Sequence, residues 1–124
     1  MMKLMIVDDS SIIRNRIARI SRHVDLAKLE IDIVGQASNG KEAVDLFVKA
    51  HPDIVTMDLT MPEMDGVECT KALAYMNPAV RILVISALSD KSTALKALKN
   101  GASGFLYKPF NDEQLISALE SLVN

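Results

Sequence analysis

Three aspartates carry the most chemistry in this chain. Asp8 and Asp9 follow the apolar run Leu4-Met5-Ile6-Val7, and Asp58 follows Ile54-Val55-Thr56-Met57. Both runs are short and lack polar alternation apart from Thr56, so each reads as a strand buried on both faces with carboxylates at its carboxyl end. Two further runs end on polar groups in the same way: residues 81–85 on Ser86-Ala87, and residues 104–107 on Lys108-Pro109. If these strands are parallel, Asp8, Asp9, Asp58, Ser86 and Lys108 lie along one edge of one sheet, where open α/β sheets bind their ligands. Three carboxylates with ordinary pKa values near ~3.9 repel one another at neutral pH, so the cluster requires a cation or retained protons. A hard divalent ion that takes oxygen ligands and keeps several waters meets that need, and Mg²⁺ suits it better than Ca²⁺, which takes about six to eight oxygens. With the Lys108 ammonium and the Ser86 hydroxyl added, the set is suited to phosphoryl transfer. Asp58 would be the in-line nucleophile, the metal and Lys108 would balance charge on the equatorial oxygens, and Ser86 would donate a hydrogen bond to one of them. Singly, Asp58 also reads as a strand terminator or helix cap, Ser86 as a cap and Lys108 as a solvated loop charge. Their joint placement at four strand ends favours the chemistry.

Periodicity locates the elements that must hold these groups. Ser10 or Ser11 is placed to cap a helix whose apolar positions Ile13, Ile17, Ile20 and Val24 recur at spacings of four, three and four. Arg14, Arg16, Arg19 and Arg22 project elsewhere and read as a solvated face. The pattern blurs over residues 24–31. Residues 31–37 alternate partly, which suits a strand near a sheet edge. Asn39-Gly40 turns the chain into a second helix with Ala43, Val44, Phe47 and Ala50 inward, ended by His51-Pro52. Pro62 and Asp65-Gly66 force a turn after Asp58. Residues 67–76 form the third helix, with Val67, Thr70, Leu73, Ala74 and Met76 towards the sheet and Asn77-Pro78 as its stop. The fourth helix, residues 91–100, closes on Gly101, suited to a left-handed C-cap. Asn111 and Gln114 are spaced as a capping box for a last helix over 112–123 that buries Leu115, Ile116, Leu119 and Leu122. Five short buried strands alternating with five helices predict an α/β fold, a doubly wound parallel sheet with helices on both faces. In the order 2-1-3-4-5 the first and third strands adjoin at the switch point, and their carboxylates meet in one crevice.

Bulk properties narrow the classes of function. The 124 residues suffice for one domain with one core, and a hydrophobic fraction of 49% with no Trp makes that core aliphatic. A formal net charge of −2 offers no global electrostatic case for nucleic acid or a membrane surface. Cys69 has no partner for an internal disulfide and reads as a small, partly buried helix residue. His23 and His51 have no second ligand at metal spacing and read as surface residues. The first apolar run stops at Asp8, far short of a signal sequence or a membrane span, so a cytoplasmic location is expected.

The motifs Asp8-Asp9, Met57-Asp58-Leu59-Thr60-Met61-Pro62 with Met64-Asp65-Gly66, Ser86-Ala87 and Lys108-Pro109-Phe110 resemble, jointly, those of the receiver domain of two-component response regulators. The resemblance covers essentially the whole chain and is nearest in layout to the stand-alone chemotaxis members. It implies one flavodoxin-like (βα)5 receiver domain over residues 1–124. It further implies that Asp58 takes a phosphoryl group from a histidine kinase, a phosphotransfer protein or a small phosphodonor. Asp9, Asp58 and the backbone carbonyl of Thr60 would bind Mg²⁺ with help from Asp8. Lys108 would pair with the carboxylate and then the phosphoryl group, across a cis Lys108-Pro109 bond. Ser86 would move inward on phosphorylation and Phe105 would fill the space, with Ala87 leaving room for the ring. A face made of the fourth helix, fifth strand and fifth helix would then meet an output protein, with Leu95, Leu98, Phe105 and Tyr107 in or beside it; Leu95 and Leu98 read equally well as core. The segment between Asp9 and Gly40 is longer than is usual in such domains.

Three other readings compete. A haloacid dehalogenase-type phosphohydrolase also uses a strand-end Asp, Mg²⁺, a hydroxyl and a Lys, but it wants a second Asp two residues on, where this chain has Thr60. A flavodoxin-type electron carrier shares the fold, yet the loop after Val7 is acidic where a flavin phosphate needs hydroxyls and N–H groups. Among receivers, Asn124 directly after the last helix favours a single-domain monomer in chemotaxis or a phosphorelay over a fragment of a transcriptional regulator.

Overall fold

In the computed structural model, described for residues 2–23, 30–59, 61, 65–87 and 90–123, five parallel strands form one sheet. They are β1 (Met2–Val7), β2 (Ile31–Ala37), β3 (Ile54–Asp58), β4 (Arg81–Ala87) and β5 (Gly104–Lys108), ordered β2-β1-β3-β4-β5. The intervening helices are α1 (Ser11–Ser21), α2 (Gly40–Ala50), α3 (Gly66–Met76), α4 (Lys91–Lys99) and α5 (Asp112–Val123). This is the predicted doubly wound, flavodoxin-like arrangement.

Side-chain alternation divides the central strands between two cores. Met5, Val7, Val55, Met57, Ile82 and Val84 pack with Ala43, Phe47, Cys69, Leu73, Ala94 and Ala97 from α2, α3 and α4. Leu4, Ile6, Ile54, Leu83 and Ile85 pack with Ile17, Ile20, Leu115 and Leu119 from α1 and α5. A strand covered on both faces has no use for polar alternation, which is why β3 and β4 read as continuous apolar runs. β2 is an edge, as its partial alternation predicted. β5 is the other edge, and none of its residues is fully buried, which corrects its reading as a buried strand. Its sequence is apolar, but it has a neighbouring strand on one side alone.

Local chemistry sets the ends of the helices. Ser10 caps α1, its hydroxyl accepting from Ile13 N–H at 3.3 Å, and Asn39 and Asp65 cap α2 and α3 by accepting from Glu42 and Glu68 N–H at 2.8 Å. The Asn111–Gln114 box closes reciprocally, with both bonds at 2.8 Å. Gly101 has φ +115°, the left-handed conformation expected after α4. On α3 the inward face is Cys69, Thr70 and Leu73; Cys69 is fully buried rather than partly so. Met76, expected on that face, is 42% exposed. It lies in the last turn of α3, where it lines a surface cavity together with Phe47, Val48 and His51. The 24–31 segment left open by the sequence falls mostly outside the described residues. Among those described, no helix is long and apolar enough to cross a membrane.

Candidate functional site at the carboxyl edge of the sheet

Register brings the predicted groups together. Val7 pairs with Met57, so Asp8 and Asp58 leave adjacent strands side by side, and Asp58 itself pairs with Ile85, one residue before Ser86. Ala87 pairs with Lys108, placing the lysine at the same edge. One carboxylate oxygen from each of Asp8, Asp9 and Asp58 lies within 4.8 Å of the others. Lys108 Nζ stands 3.5 Å from Asp8 Oδ2 and 3.6 Å from Asp58 Oδ1, ion pairs rather than short hydrogen bonds.

The three aspartates are not equivalent. Asp9 is exposed, whereas Asp8 and Asp58 are buried at 1% and 4% exposure. Burial pushes the Asp8 carboxyl above its usual range, and Asp9 adds to that; the Ser10 N–H, donating to Asp8 Oδ1 at 2.9 Å, and Lys108 pull the other way. A carboxylate held against its own desolvation beside two others forms an electrostatic well for a cation. The donor set, hard oxygens only, fits a hard divalent ion. Ser86 sits at the same edge, 3% exposed, and its hydroxyl has no hydrogen-bond partner among the described residues. A buried hydroxyl left without a partner costs stability and suits a group awaiting an acceptor.

Close backbone approach holds Asp58 in place. Gly66, the first residue of α3, donates its N–H to the Leu59 carbonyl at 3.0 Å. A Cβ there would stand 2.3 Å from the Asp58 carbonyl oxygen and 2.4 Å from Leu59 Cα, so in the turn predicted from Asp65-Gly66 any other residue would force the backbone to shift.

Phe105 is 46% exposed and turned outward, its ring centroid 5.1 Å from that of Tyr107 at a tilt of 50°. Leu95 is exposed and Leu98 half-buried, so Leu95 is not core. The bond between Lys108 and Pro109 is cis, as the resemblance implied. Thr60, the expected carbonyl ligand, lies outside the described residues.

The sequence reading missed the role of α1. Arg14 and Arg16 are half-buried rather than solvated. Arg14 Nη1 donates to the Asp8 carbonyl at 2.6 Å, and Arg16 Nη2 donates to the Phe110 carbonyl at 2.7 Å. The usable signal was distance along the chain: α1 starts immediately after the acid pair, so long side chains in its first two turns must pass the strand ends.

Fold, acid cluster, orphaned hydroxyl and lysine together define a class. The chain belongs to the response regulator receiver domain family, which it matches over residues 4–120. Such domains bind Mg²⁺ at an acidic pocket and work as signalling switches between histidine kinases or phosphotransfer proteins and output partners. Within the family it is similar to the chemotaxis protein CheY of Listeria monocytogenes, 38% identical over 97% of both chains. It is also 36% identical to a transcriptional regulatory protein of Bacillus subtilis, YesN, covering 99% of this chain and 33% of that one. Among solved structures it resembles a complex of CheX, CheY, BeF3 and Mg from Borrelia burgdorferi, with a TM-score of 0.87, 29% identity, and coverage of 99% of this chain and 90% of that one.

Proposed function

We propose that this receiver accepts a phosphoryl group on Asp58 and uses it to switch a partner-binding face in a two-component pathway. The observation that carries the reading is the buried Asp58 carboxylate within ion-pair distance of Lys108 and clustered with Asp8 and Asp9. A carboxylate oxygen of Asp58 attacks phosphorus in line, and the bond from phosphorus to the donor's imidazole nitrogen or acetate oxygen breaks with its electron pair on the leaving group. Lys108 and the Ser86 hydroxyl offer charge and a hydrogen bond to the phosphoryl oxygens. Asp8, Asp9, Asp58 and the Thr60 carbonyl would hold Mg²⁺, which when bound relieves the carboxylate repulsion and balances phosphoryl charge.

The acyl phosphate then biases a conformational equilibrium. Its new acceptor oxygens give the orphaned Ser86 hydroxyl a partner, and Phe105 follows into the vacated space, changing the face of α4, β5 and α5 for an output protein. The receiver domain fills residues 1–124, acts as a cytoplasmic monomer, and contributes catalysis to its own phosphorylation and dephosphorylation alone. Chemotaxis is the favoured pathway, supported by the near-complete mutual coverage with the Listeria protein. A phosphorelay step or the receiver of a transcriptional regulator is the second reading, favoured by the Bacillus relative.

Intact mass after incubation with acetyl phosphate tests the reaction. One added phosphoryl group that requires Mg²⁺ and disappears in Asp58→Asn is expected; an adduct that persists in Asp58→Asn overturns it. Phe105→Ala is expected to abolish phosphorylation-dependent partner binding while leaving the adduct in place, and unchanged binding would remove Phe105 from the switch.

A further inference from the structure

Lys108 can serve Asp58 only while the backbone beneath it is held still, since its flexible four-carbon stem fixes no position by itself. The loop from Lys108 into α5 is anchored from two sides. On the inside, the Phe110 ring is buried with Ile17, Leu115 and Ile116 between α1 and α5. On the outside, the Arg16 guanidinium donates to the Phe110 carbonyl at 2.7 Å, lies 3.4 Å from Asp112 Oδ1, and stands 4.8 Å from the centroid of the Phe110 ring. A rigid planar fork with contacts in several directions fixes both the place and the orientation of the Phe110 peptide, two residues beyond Lys108. Pro109, between them, has no N–H with which to anchor the loop itself. Two residues earlier on the same helix, Arg14 holds the Asp8 carbonyl. The first two turns of α1 therefore tie the acid pair and the lysine loop to one rigid element.

We infer that Arg16 is a positioning residue for phosphoryl transfer, holding the Lys108 loop through the Phe110 carbonyl so that the ammonium stays between Asp8 and Asp58. The inference rests on Asp58 being the phosphoacceptor. The ion pair with Asp112 alone would not justify it: both side chains are a third or more exposed, and such pairs contribute little. The carbonyl bond and the ring contact are what tie Arg16 to the loop.

The test follows phosphorylation of the full chain by acetyl phosphate in Mg²⁺, by intact mass over hours, for wild type, Arg16→Ala, Arg16→Lys, Lys108→Ala and the Arg16→Ala/Lys108→Ala pair. Mg²⁺ affinity is measured by calorimetry on the same samples, at a temperature where circular dichroism shows each folded. Arg16→Ala is expected to slow phosphorylation about tenfold, since a displacement near 1 Å can cost up to about 100-fold. Arg16→Lys, able to donate to the Phe110 carbonyl but without the planar fork over the ring, is expected to recover part of the rate and fall between wild type and Arg16→Ala, and Mg²⁺ affinity is expected to stay within about twofold in all the Arg16 variants. Without Lys108, removing Arg16 is expected to cost no more than about twofold, because the two act through one loop. If Arg16→Ala does not fold, Arg16→Met keeps the apolar stem over Phe110, drops the donors and carries the same expectation. A wild-type rate in Arg16→Ala, an undiminished effect in the Lys108→Ala background, or a parallel loss of Mg²⁺ affinity overturns the inference. A wild-type chain that takes up no phosphoryl group overturns the assignment of Asp58 and this inference with it.

Discussion

The two ends of β3 are built to opposite rules. Ile54 at its start is fully buried among Leu4, Ile6, Leu83 and Leu119, all apolar, whereas Asp58 at its finish is also buried but sets a carboxyl group beside two more. Burial of the first stabilises the fold, at about 25 cal/mol for each Å² of apolar surface removed from water. Burial of the second costs stability, and so does the unpartnered Ser86 hydroxyl on the next strand. Stability and the proposed chemistry are thus separated along single strands: the bodies hold the sheet together, and the carboxyl ends are held in a conflict that a cation would relieve.

Substitutions along this axis should behave oppositely. Ile54→Ala is expected to cost about 2–5 kcal/mol in chemical denaturation while leaving the rate of Mg²⁺-dependent phosphorylation close to wild type in the folded protein. A matching loss of rate would mean that the strand's start and finish are not separable. Gly66→Ala is expected to cost about 1–3 kcal/mol, because the new methyl meets the Asp58 and Leu59 backbone, and unlike Ile54→Ala it should also impair phosphorylation. Retention of full activity would show that the close approach does not position Asp58.

Asp8→Asn should move stability the other way. The folded-state pKa of Asp8 is raised, so its protonated form is favoured by folding. Its contribution to stability is present below the unfolded pKa and is lost as pH rises through the folded value. At pH 7 the substitution is therefore expected to stabilise by about 0.5–2 kcal/mol, the usual scale for relieving such a conflict. The advantage should fade as pH falls through the raised folded value and be gone below the ordinary carboxylate value of 3.8. Thermal melts across pH, with and without Mg²⁺, would check this; a variant less stable than wild type at neutral pH in metal-free buffer would contradict it. Mg²⁺ should also raise the melting temperature of wild type by mass action, and do so less in the variant.

Much of this division was legible in the sequence because it rests on local chemistry. Apolar runs broken by Asp8-Asp9 and Asp58 marked both the strands and the ends at which the carboxylates cluster, and the Asn111–Gln114 box and Gly101 marked helix boundaries through preferences that hold in any surroundings. What was not legible depends on neighbours. β5 has the composition of a buried strand and becomes an edge through sheet order. Met76 has the period of an inward residue, yet it sits in a last turn that faces α2. Arg14 and Arg16 fall on the polar side of α1 by helix phase, but phase does not register that long side chains can reach back over the loops flanking that helix. Thr60 stays an expectation, since its segment lies outside the described residues.

The most direct test of the account locates the phosphoryl group itself. Wild-type protein phosphorylated in Mg²⁺ is reduced with borohydride, which converts an aspartyl phosphate to homoserine, and is then mapped by peptide mass. Homoserine is expected at position 58, with intact aspartates at positions 8 and 9. Homoserine at position 8 or 9, or a phosphoryl group that survives reduction on another side chain, would contradict it.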